Sequence, residues 1–172
     1  MAPFVTLAPT ALAPVLLSCE HAANRFPSRT PVCRAERALL ASHRGWDIGA
    51  WKLTRELAVG LETSAVGGRW TRTVIDLNRP VGDPTLIPAV VDGLVLSWNR
   101  RLSIGEVERR VREYHAPYHT EIDRLIERRL LRGIRPLLLA IHSFTPRLTG
   151  GRSRPFDVGV LYEHHGTLAH RL

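Results

Sequence analysis

The 172-residue sequence predicts an α/β protein with a largely parallel β-sheet. Short apolar or β-branched runs of strand length alternate along the chain with longer segments of helical periodicity, which is typical of strands connected by helices. A hydrophobic content of 44% with 6% aromatic residues is ordinary for such a protein. The length is that of one domain, so we expect residues 1–172 to share a single core.

The first half of the chain supplies two predicted strands and two predicted helices. Ala13–Ser18 is a short apolar run that indicates a buried strand. Arg34–His43 and Asp47–Leu61 have helical spacing, and the second segment carries a broad apolar stripe. Thr71–Leu77 alternates and is rich in β-branched residues, as expected of a strand.

The second half opens with the longest helical pattern, Ser103–Arg132. Ser103 is followed three residues later by Glu106, a capping-box signature that places a helix start at this point. Pro117 interrupts the pattern, because proline has no backbone N–H to donate within a helix. We therefore expect a kink, or two helices that meet near Ala116.

Two continuous apolar runs follow this helical pattern. Pro136–Ile141 predicts a central strand, and Asp157–Tyr162 predicts a further strand. The sequence thus predicts four strands separated by helices or long connections, which favours parallel pairing.

Three of the predicted strands end in reactive side chains. These are Cys19, Glu20 and His21 after the first strand, Asn78 and Arg79 at the end of the second, and His142 and Ser143 after the third. In open α/β sheets, ligands bind beyond the carboxyl ends of the strands. The sequence therefore predicts a functional site at this edge of the sheet.

The two histidines of this predicted site are candidate metal ligands. Two neutral imidazoles and one carboxylate commonly bind a zinc-type ion in proteins, and His21 and His142 would supply the imidazoles. Such an ion lowers the pKa of a water molecule and polarises a carbonyl. The alternative is that each histidine only caps its strand through hydrogen bonds. Asp47 is a candidate third ligand, although an aspartate before a helix is also a good N-cap.

Asn78 and Arg79 are candidate substrate-binding residues. An arginine presents a planar fork that binds a carboxylate through two hydrogen bonds, and an asparagine adds a neutral donor beside it. The pair would suit a substrate with a free carboxylate. The alternative is a surface ion pair between Arg79 and either Asp76 or Asp83.

Two other patterns in the sequence are candidate sites. His115 and His119 are four residues apart, but Pro117 lies between them and the glutamate of the HExxH motif is missing, which excludes that metalloprotease pattern. Cys19 is a candidate nucleophile, although a cysteine at an apolar strand end is more often a small buried hydrophobe.

Composition and charge limit the classes of partner that the sequence predicts. The net charge of +8 comes almost entirely from arginines that are scattered rather than arranged in a basic stripe, so no nucleic-acid partner is expected. No apolar run reaches the roughly 18 residues of a membrane span, so no membrane partner is expected either. Two cysteines indicate no disulfide framework and favour a reducing cytoplasm.

Six segments, in this order and at this spacing, resemble the N-formylglutamate amidohydrolase family. They are SCEHAANRFP (Ser18–Pro27), GWDIGAW (Gly45–Trp51), DLNRP (Asp76–Pro80), YHAPYH (Tyr114–His119), IHSFTP (Ile141–Pro146) and RPFDVGVLY (Arg154–Tyr162). The resemblance implies a three-layer α/β/α sandwich around a mixed, largely parallel sheet, similar to the zinc carboxypeptidase and aspartoacylase group. It implies hydrolysis of N-formyl-L-glutamate, or a similar N-acyl amino acid with a free carboxylate, to formate or another acid and the free amino acid.

The resemblance also implies roles for individual residues. His21, Asp47 and His142 would bind zinc or another divalent metal, and Glu20, His21 and His142 would be the catalytic residues. Asn78, Arg79 and Ser143 would bind the substrate, the first two through its carboxylate. The carboxypeptidase-type HxxE pattern has a carboxylate three residues after the first histidine, but here that position is Asn24. Glu20 is therefore the alternative third ligand, or the base that activates water.

Members of this family usually continue well past the GVLY segment. The resemblance therefore implies that the chain lacks the family's C-terminal portion, including a late carboxylate that acts as general base. The alternative function is a family member that binds metal or a carboxylate ligand without efficient turnover. An exposed sheet edge would also favour association of chains into a homo-oligomer.

Overall fold

The computed structural model describes residues 1–27, 31–147 and 151–162, and its central feature is a four-stranded sheet. The strands are β1 (Phe4–Leu7), β2 (Val15–Cys19), β3 (Ala65–Gly68) and β6 (Leu137–Ala140), in the order β1-β3-β2-β6. β2 is parallel to both β3 and β6, and β1 is antiparallel to β3. The predicted mixed, largely parallel sheet is confirmed.

Helices cover both faces of this sheet, because the side chains of β2 alternate between them. Leu16 packs with Ile122 and Leu125 of helix α4 (Ala116–Leu130) on one face. Leu17 packs with Ala58 of helix α2 (Ala50–Gly60) on the other face. The fold is therefore the three-layer α/β/α sandwich that the family resemblance implies.

A smaller cluster lies beside the sandwich. Helix α1 (Arg34–Ala41) packs through Leu39 and Leu40 against Leu96 and Trp98. The hairpin of β4 (Val90–Val91) and β5 (Leu94–Val95) lies directly before Leu96 in the chain. The sequence predicted α1, but it did not predict β1, β3 or the hairpin.

The long helical pattern forms as two helices. Helix α3 (Ile104–Arg110) starts at the predicted cap, where the Oγ of Ser103 accepts a hydrogen bond from the Glu106 backbone N–H at 3.2 Å. A π-helical segment, Val111–His115, joins α3 to α4. Pro117 is the second residue of α4, where a missing N–H costs no hydrogen bond. The predicted junction near Ala116 is confirmed.

The predicted strand Thr71–Leu77 is wrong, because this segment is a series of turns. Loop backbone groups and side chains, rather than a neighbouring strand, satisfy its backbone: the N–H of Thr71 donates to the Arg25 carbonyl and that of Asp76 to the Leu86 carbonyl. The Thr73 carbonyl accepts hydrogen bonds from Trp98 and Asn99, and the Val74 carbonyl accepts one from Arg110. The place in the sheet is taken by β3, which ends only a few residues earlier.

The two late strand predictions also need correction. Pro136–Ile141 contains β6, but β6 lies at the edge of the described sheet rather than in its centre. Asp157–Tyr162 forms no strand in the described part of the chain. The segment before it turns back on the loop after β6: the Arg154 N–H donates to the Pro146 carbonyl at 2.8 Å, and Arg147 and Ser153 form an isolated antiparallel bridge.

Among the described residues, no helix has the length and apolar character that crossing a membrane requires.

Candidate metal centre

The candidate centre lies at the carboxyl edge of the sheet, where the sequence placed it. His21 comes two residues after β2, and His142 comes two residues after β6. Because β2 and β6 are adjacent and parallel, both histidines reach the same edge, and their ring centroids lie 5.1 Å apart. Asp47 joins them from the loop before α2, where its backbone N–H donates to the His21 carbonyl at 3.0 Å.

The carboxylate of Asp47 lies between the two imidazoles and is 5% exposed. Its Oδ2 is 2.8 Å from His142 Nδ1, and its Oδ1 is 3.5 Å from His21 Nδ1. The N-cap of α2 is Gly49, so the interpretation of Asp47 as a helix cap is wrong. One ligand atom from each of His21, Asp47 and His142 can be chosen so that all three lie within 4.8 Å of one another, a spacing at which one ion could bind all three.

The protonation of His21 fits a metal ligand. Its Nε2 lies 2.7 Å from Asp76 Oδ1, and since a carboxylate only accepts hydrogen bonds, Nε2 carries the proton. Its Nδ1 is buried and has no hydrogen-bond partner among the described residues. A carboxylate that holds the outer nitrogen of a metal-binding histidine is a common arrangement, because it fixes the ring and leaves the other nitrogen's lone pair free. His21, Asp47 and His142 therefore fit a divalent metal ion.

The electrostatics of the centre favour a cation. Glu20, Asp47 and Asp76 are three buried carboxylates. Arg72 is the guanidinium beside them, 2.8 Å from Asp76 Oδ2 and 3.7 Å from Asp47 Oδ1. Burial alone would raise the pKa of Asp76, but its contacts with His21 and Arg72 lower that pKa to about 2. One arginine cannot balance three buried carboxylates, so further positive charge is favoured here.

The histidines respond to the same excess of negative charge. The hydrogen bond with Asp47, supported by Glu20, raises the pKa of His142 to about 9. Burial lowers the pKa of His21, but Asp47 and Asp76 outweigh this effect and raise it. Without a metal, protons on the imidazoles supply the positive charge. A bound metal would replace those protons, because ligand histidines bind in their neutral form.

Glu20 occupies the other side of His142. Its Oε1 accepts a hydrogen bond from the Tyr118 hydroxyl at 3.0 Å. Its Oε2 lies 3.2 Å from His142 Nε2 and is buried, with no well-directed hydrogen bond in the part of the chain that the structure describes. Burial raises the pKa of Glu20, yet the neighbouring His142 helps to hold it below its usual range. The ligand group defined by distance contains Asp47 and not Glu20, which leaves the carboxylate of Glu20 available for another task.

The predicted substrate-binding residues lie in loops beside the centre. Asn78 and Arg79 are exposed, and the backbone N–H of Asn78 donates to Asp76 Oδ1 at 2.9 Å. Within residues 1–27, 31–147 and 151–162 the Arg79 guanidinium forms no hydrogen bond and no ion pair within 4 Å with Asp76 or Asp83, although its charge helps to lower the pKa of Asp83. Ser143 donates its backbone N–H to Asp47 Oδ2 at 3.3 Å.

Sequence reasoning missed three residues of the centre: Asp76, Arg72 and Tyr118. Asp76 was considered only as a partner for Arg79. Tyr118 is fully buried on the apolar face of α4, four residues before Ile122. A buried tyrosine usually needs a hydrogen-bond partner for its hydroxyl, and that rule was the available signal for the contact with Glu20.

Cys19 is not an activated nucleophile. Its side chain is fully buried beside Ala22 and Ala50. Burial raises the pKa of the Cys19 thiol to about 12, so the reactive thiolate is not present near neutral pH. The alternative interpretation, a small hydrophobe at the strand end, agrees with this environment.

Fold and site together define a class: an α/β/α protein with a candidate single-metal centre at the carboxyl ends of its parallel strands. Within that class the family is identified by sequence. The family model for N-formylglutamate amidohydrolase matches residues 13–172, and the chain belongs to this family.

Two crystal structures are similar to this chain. One is of a gene product of Agrobacterium tumefaciens, with a TM-score of 0.78 and 29% identity over 84% of this chain and 57% of that chain. The other is of the N-formylglutamate amidohydrolase of Ralstonia eutropha JMP134, with a TM-score of 0.69 and 24% identity over 84% of this chain and 58% of that one. The chain thus spans less than two thirds of either protein. No curated protein sequence matches it.

Proposed function

We propose that this chain is a metal-dependent amidohydrolase that cleaves N-formyl-L-glutamate, or a similar N-acyl amino acid, to formate or another acid and the free amino acid. The observation that carries the proposal is the group formed by His21, Asp47 and His142, whose ligand atoms lie within 4.8 Å of one another in a member of the N-formylglutamate amidohydrolase family. Zinc is the proposed ion, because two histidines and a carboxylate are a ligand set typical of catalytic zinc.

A divalent ion bound to these ligands would polarise the scissile carbonyl and lower the pKa of a water molecule. Asp76 prepares the site for it, since its hydrogen bond keeps the proton of His21 on Nε2 and the Nδ1 lone pair directed at the centre. Ser143 contributes a backbone N–H that helps to fix the Asp47 carboxylate.

The substrate carboxylate is assigned to Arg79 and Asn78. The guanidinium of Arg79 is exposed and, apart from a longer-range attraction to Asp83, forms no hydrogen bond with the described side chains, so its hydrogen-bonding capacity is available to a ligand. A paired contact between guanidinium and carboxylate fixes both the position and the orientation of the bound group. The amide bond to be cleaved would then be presented to the metal centre at a fixed distance from this contact.

Glu20 is the proposed proton carrier. Its Oε2 would accept a proton from the attacking water, and the C–N bond of the tetrahedral intermediate would then break as the same proton passes to the leaving nitrogen. The Tyr118 hydroxyl donates to Oε1 and so leaves Oε2 as the oxygen that faces the centre. This assignment uses Glu20 as base, while Asp47 serves as the third ligand.

The first test measures bound zinc per chain and formate release from N-formyl-L-glutamate by the purified protein and its variants. We expect about one zinc per chain and formate release in the wild type, with both lost in His142→Ala, because a site with one ligand fewer binds metal weakly. Asp47→Asn should also lose metal. Glu20→Gln should retain zinc and lose at least about 100-fold in kcat, the usual size of a general-base effect.

His43→Ala is the matched control, because His43 is exposed and forms no hydrogen bond or ion pair with the described residues, although it lies only four residues before Asp47. Zinc without formate release in the wild type would support the alternative function, a protein that binds metal or a carboxylate without efficient turnover. Unchanged zinc and formate release in His142→Ala would contradict the proposed centre.

A further inference from the structure

The YHAPYH segment places two imidazoles beside the loop that carries Asn78 and Arg79. His115 is the last residue of the π-helical segment, and His119 lies in the first turn of α4. Their ring centroids are 4.3 Å apart, with the planes inclined by 38°. The two rings therefore share one face of the helix, although Pro117 lies between them in sequence.

Each ring is bound to a backbone carbonyl of that loop. His115 Nε2 lies 2.9 Å from the Arg79 oxygen, and His119 Nε2 lies 3.0 Å from the Leu77 oxygen. A carbonyl oxygen can only accept, so both rings donate through Nε2–H. The two histidines thus hold the carbonyl groups on either side of Asn78.

Two backbone N–H groups of the loop are also fixed. The N–H of Asn78 donates to Asp76 Oδ1 at 2.9 Å, and the N–H of Arg79 donates to the Asp76 carbonyl at 3.1 Å. The side chains of Asn78 and Arg79 are nevertheless exposed. A fixed backbone that presents unengaged polar side chains is the arrangement that a pre-organised binding residue requires.

The burial of the polar His115 ring costs free energy unless its nitrogen atoms form hydrogen bonds. His115 is 8% exposed, and its burial lowers the pKa of the imidazole and keeps the ring neutral. A purely apolar side chain could fill this space, but it would leave the Arg79 carbonyl without its protein donor. The ring of His115 therefore contributes a hydrogen bond to the Arg79 carbonyl as well as filling space.

We propose that His115 and His119 are positioning residues that hold the Leu77–Arg79 backbone and thereby aim the Arg79 guanidinium at the carboxylate of the substrate. The inference rests on the proposed function, because it takes Arg79 as the carboxylate-binding residue. It assigns to the two histidines a role in substrate affinity and not in the chemical step.

The test compares His119→Leu with His119→Gln, because a glutamine side chain can donate an N–H at a reach similar to that of Nε2. We expect His119→Leu to raise KM for N-formyl-L-glutamate about tenfold, equivalent to about 1.4 kcal/mol, with kcat changed less than about threefold. His119→Gln should restore most of the affinity. His115→Leu and His115→Gln are the second pair, should His119→Leu fail to fold.

A double variant separates positioning from a merely structural effect. If the histidine acts through Arg79, adding His119→Leu to Arg79→Ala should raise KM no further, since the contact it supports is already gone. Bound zinc should be unchanged in all of these variants. His43→Leu is the control for loss of an imidazole elsewhere on the surface.

The outcomes distinguish this inference from the proposed function. An unchanged KM in His119→Leu, or additive effects with Arg79→Ala, would overturn the positioning role while leaving the hydrolase intact. If the wild type releases no formate, calorimetric binding of L-glutamate reads the same contact: binding that weakens about tenfold in His119→Leu supports positioning. No binding of L-glutamate to an inactive wild type would overturn both proposals.

Discussion

Gly68 allows close contact with the backbone of Glu20 and with the side chain of Leu77. It is the last residue of β3, and a Cβ at this position would lie 2.3 Å from the Glu20 carbonyl oxygen and 2.8 Å from a methyl carbon of Leu77. The first distance is far below van der Waals contact with a backbone atom, which cannot rotate away. Glycine is therefore required at this point because of space, and Glu20 is the residue that would have to move.

Gly68→Ala should lower the free energy of unfolding by about 2–3 kcal/mol, as expected when an extra methyl group is forced against packed backbone. Urea unfolding measures the change. Gly60→Ala in α2 is the control, because a Cβ there meets nothing within 4 Å, and its stability should be equal or higher by up to about 1 kcal/mol. Equal stability of Gly68→Ala and the wild type would contradict the close contact.

Among individual residues, the sequence predicted the site residues that follow strands. It missed the residues whose place in the site depends on contacts with distant parts of the chain. His21 and His142 could be placed because an apolar run ends shortly before His21 and immediately before His142. Asp76 could not, because its role depends on the turns of residues 71–77, which bring its carboxylate within hydrogen-bonding distance of His21 Nε2. The contact between Tyr118 and Glu20 joins residues 98 positions apart, which no local pattern reveals.

Helix α3 anchors the turns that precede Asp76. Its buried Arg110 donates to the carbonyls of Val74 and Trp98. Glu106, one turn earlier, accepts hydrogen bonds from both Arg109 and Arg110. Glu106 thereby orients the guanidinium on which the turn segment depends.

The stabilising effect of Glu106 should depend on pH. The hydrogen bonds from Arg109 lower the pKa of Glu106 from 4.5 to about 2. A carboxylate whose pKa is lowered by folding stabilises the protein fully above about pH 4.5 and loses this effect as the pH falls towards 2. Glu106→Gln should therefore cost about 1 kcal/mol at pH 7, allowing for the partial exposure of the group, and less at pH 3.

Urea unfolding at the two pH values measures the effect of Glu106→Gln. Glu108→Gln is the matched control, since Glu108 is an exposed residue of the same helix with no side-chain hydrogen bond to the described residues. A loss of stability in Glu106→Gln that is as large at pH 3 as at pH 7 would show that the charge of Glu106 is not what stabilises α3.

Elements were predicted well where local pattern decides them and poorly where distant side chains do. The helices and the start of α3 follow from periodicity and from the capping signature at Ser103. The segment Thr71–Leu77 has strand composition, but hydrogen bonds from Trp98, Asn99 and Arg110 hold it in turns. β3 contains two glycines and so lacks strand composition, yet it pairs with both β1 and β2.

On the scale of the whole molecule, the candidate centre joins three separate parts of the chain. His21, Asp47 and His142 follow β2, precede α2 and follow β6, respectively. A metal that binds all three stabilises only the folded state, so saturation at 100 times Kd adds about 2.7 kcal/mol. For a chain of this size that corresponds to a rise in Tm of about 5–10 °C.

Scanning calorimetry with added zinc, compared with excess chelator, measures this rise. His142→Ala should show little or no zinc-dependent change in Tm, whereas His43→Ala should behave like the wild type. A wild-type Tm that is the same with zinc and with chelator would contradict a metal centre built from these residues.

Because β6 lies at the edge of the described sheet, we expect the candidate centre to form late in folding. Asp47 and His142 meet across 95 residues of chain, and β6 is held in the described sheet by pairing with β2 alone. Contacts this distant form slowly, because a long loop must close before they gain anything. The complete set of candidate ligands therefore exists only after β6 has docked, so the binding of an added metal ion during refolding would report the time at which β6 joins the sheet.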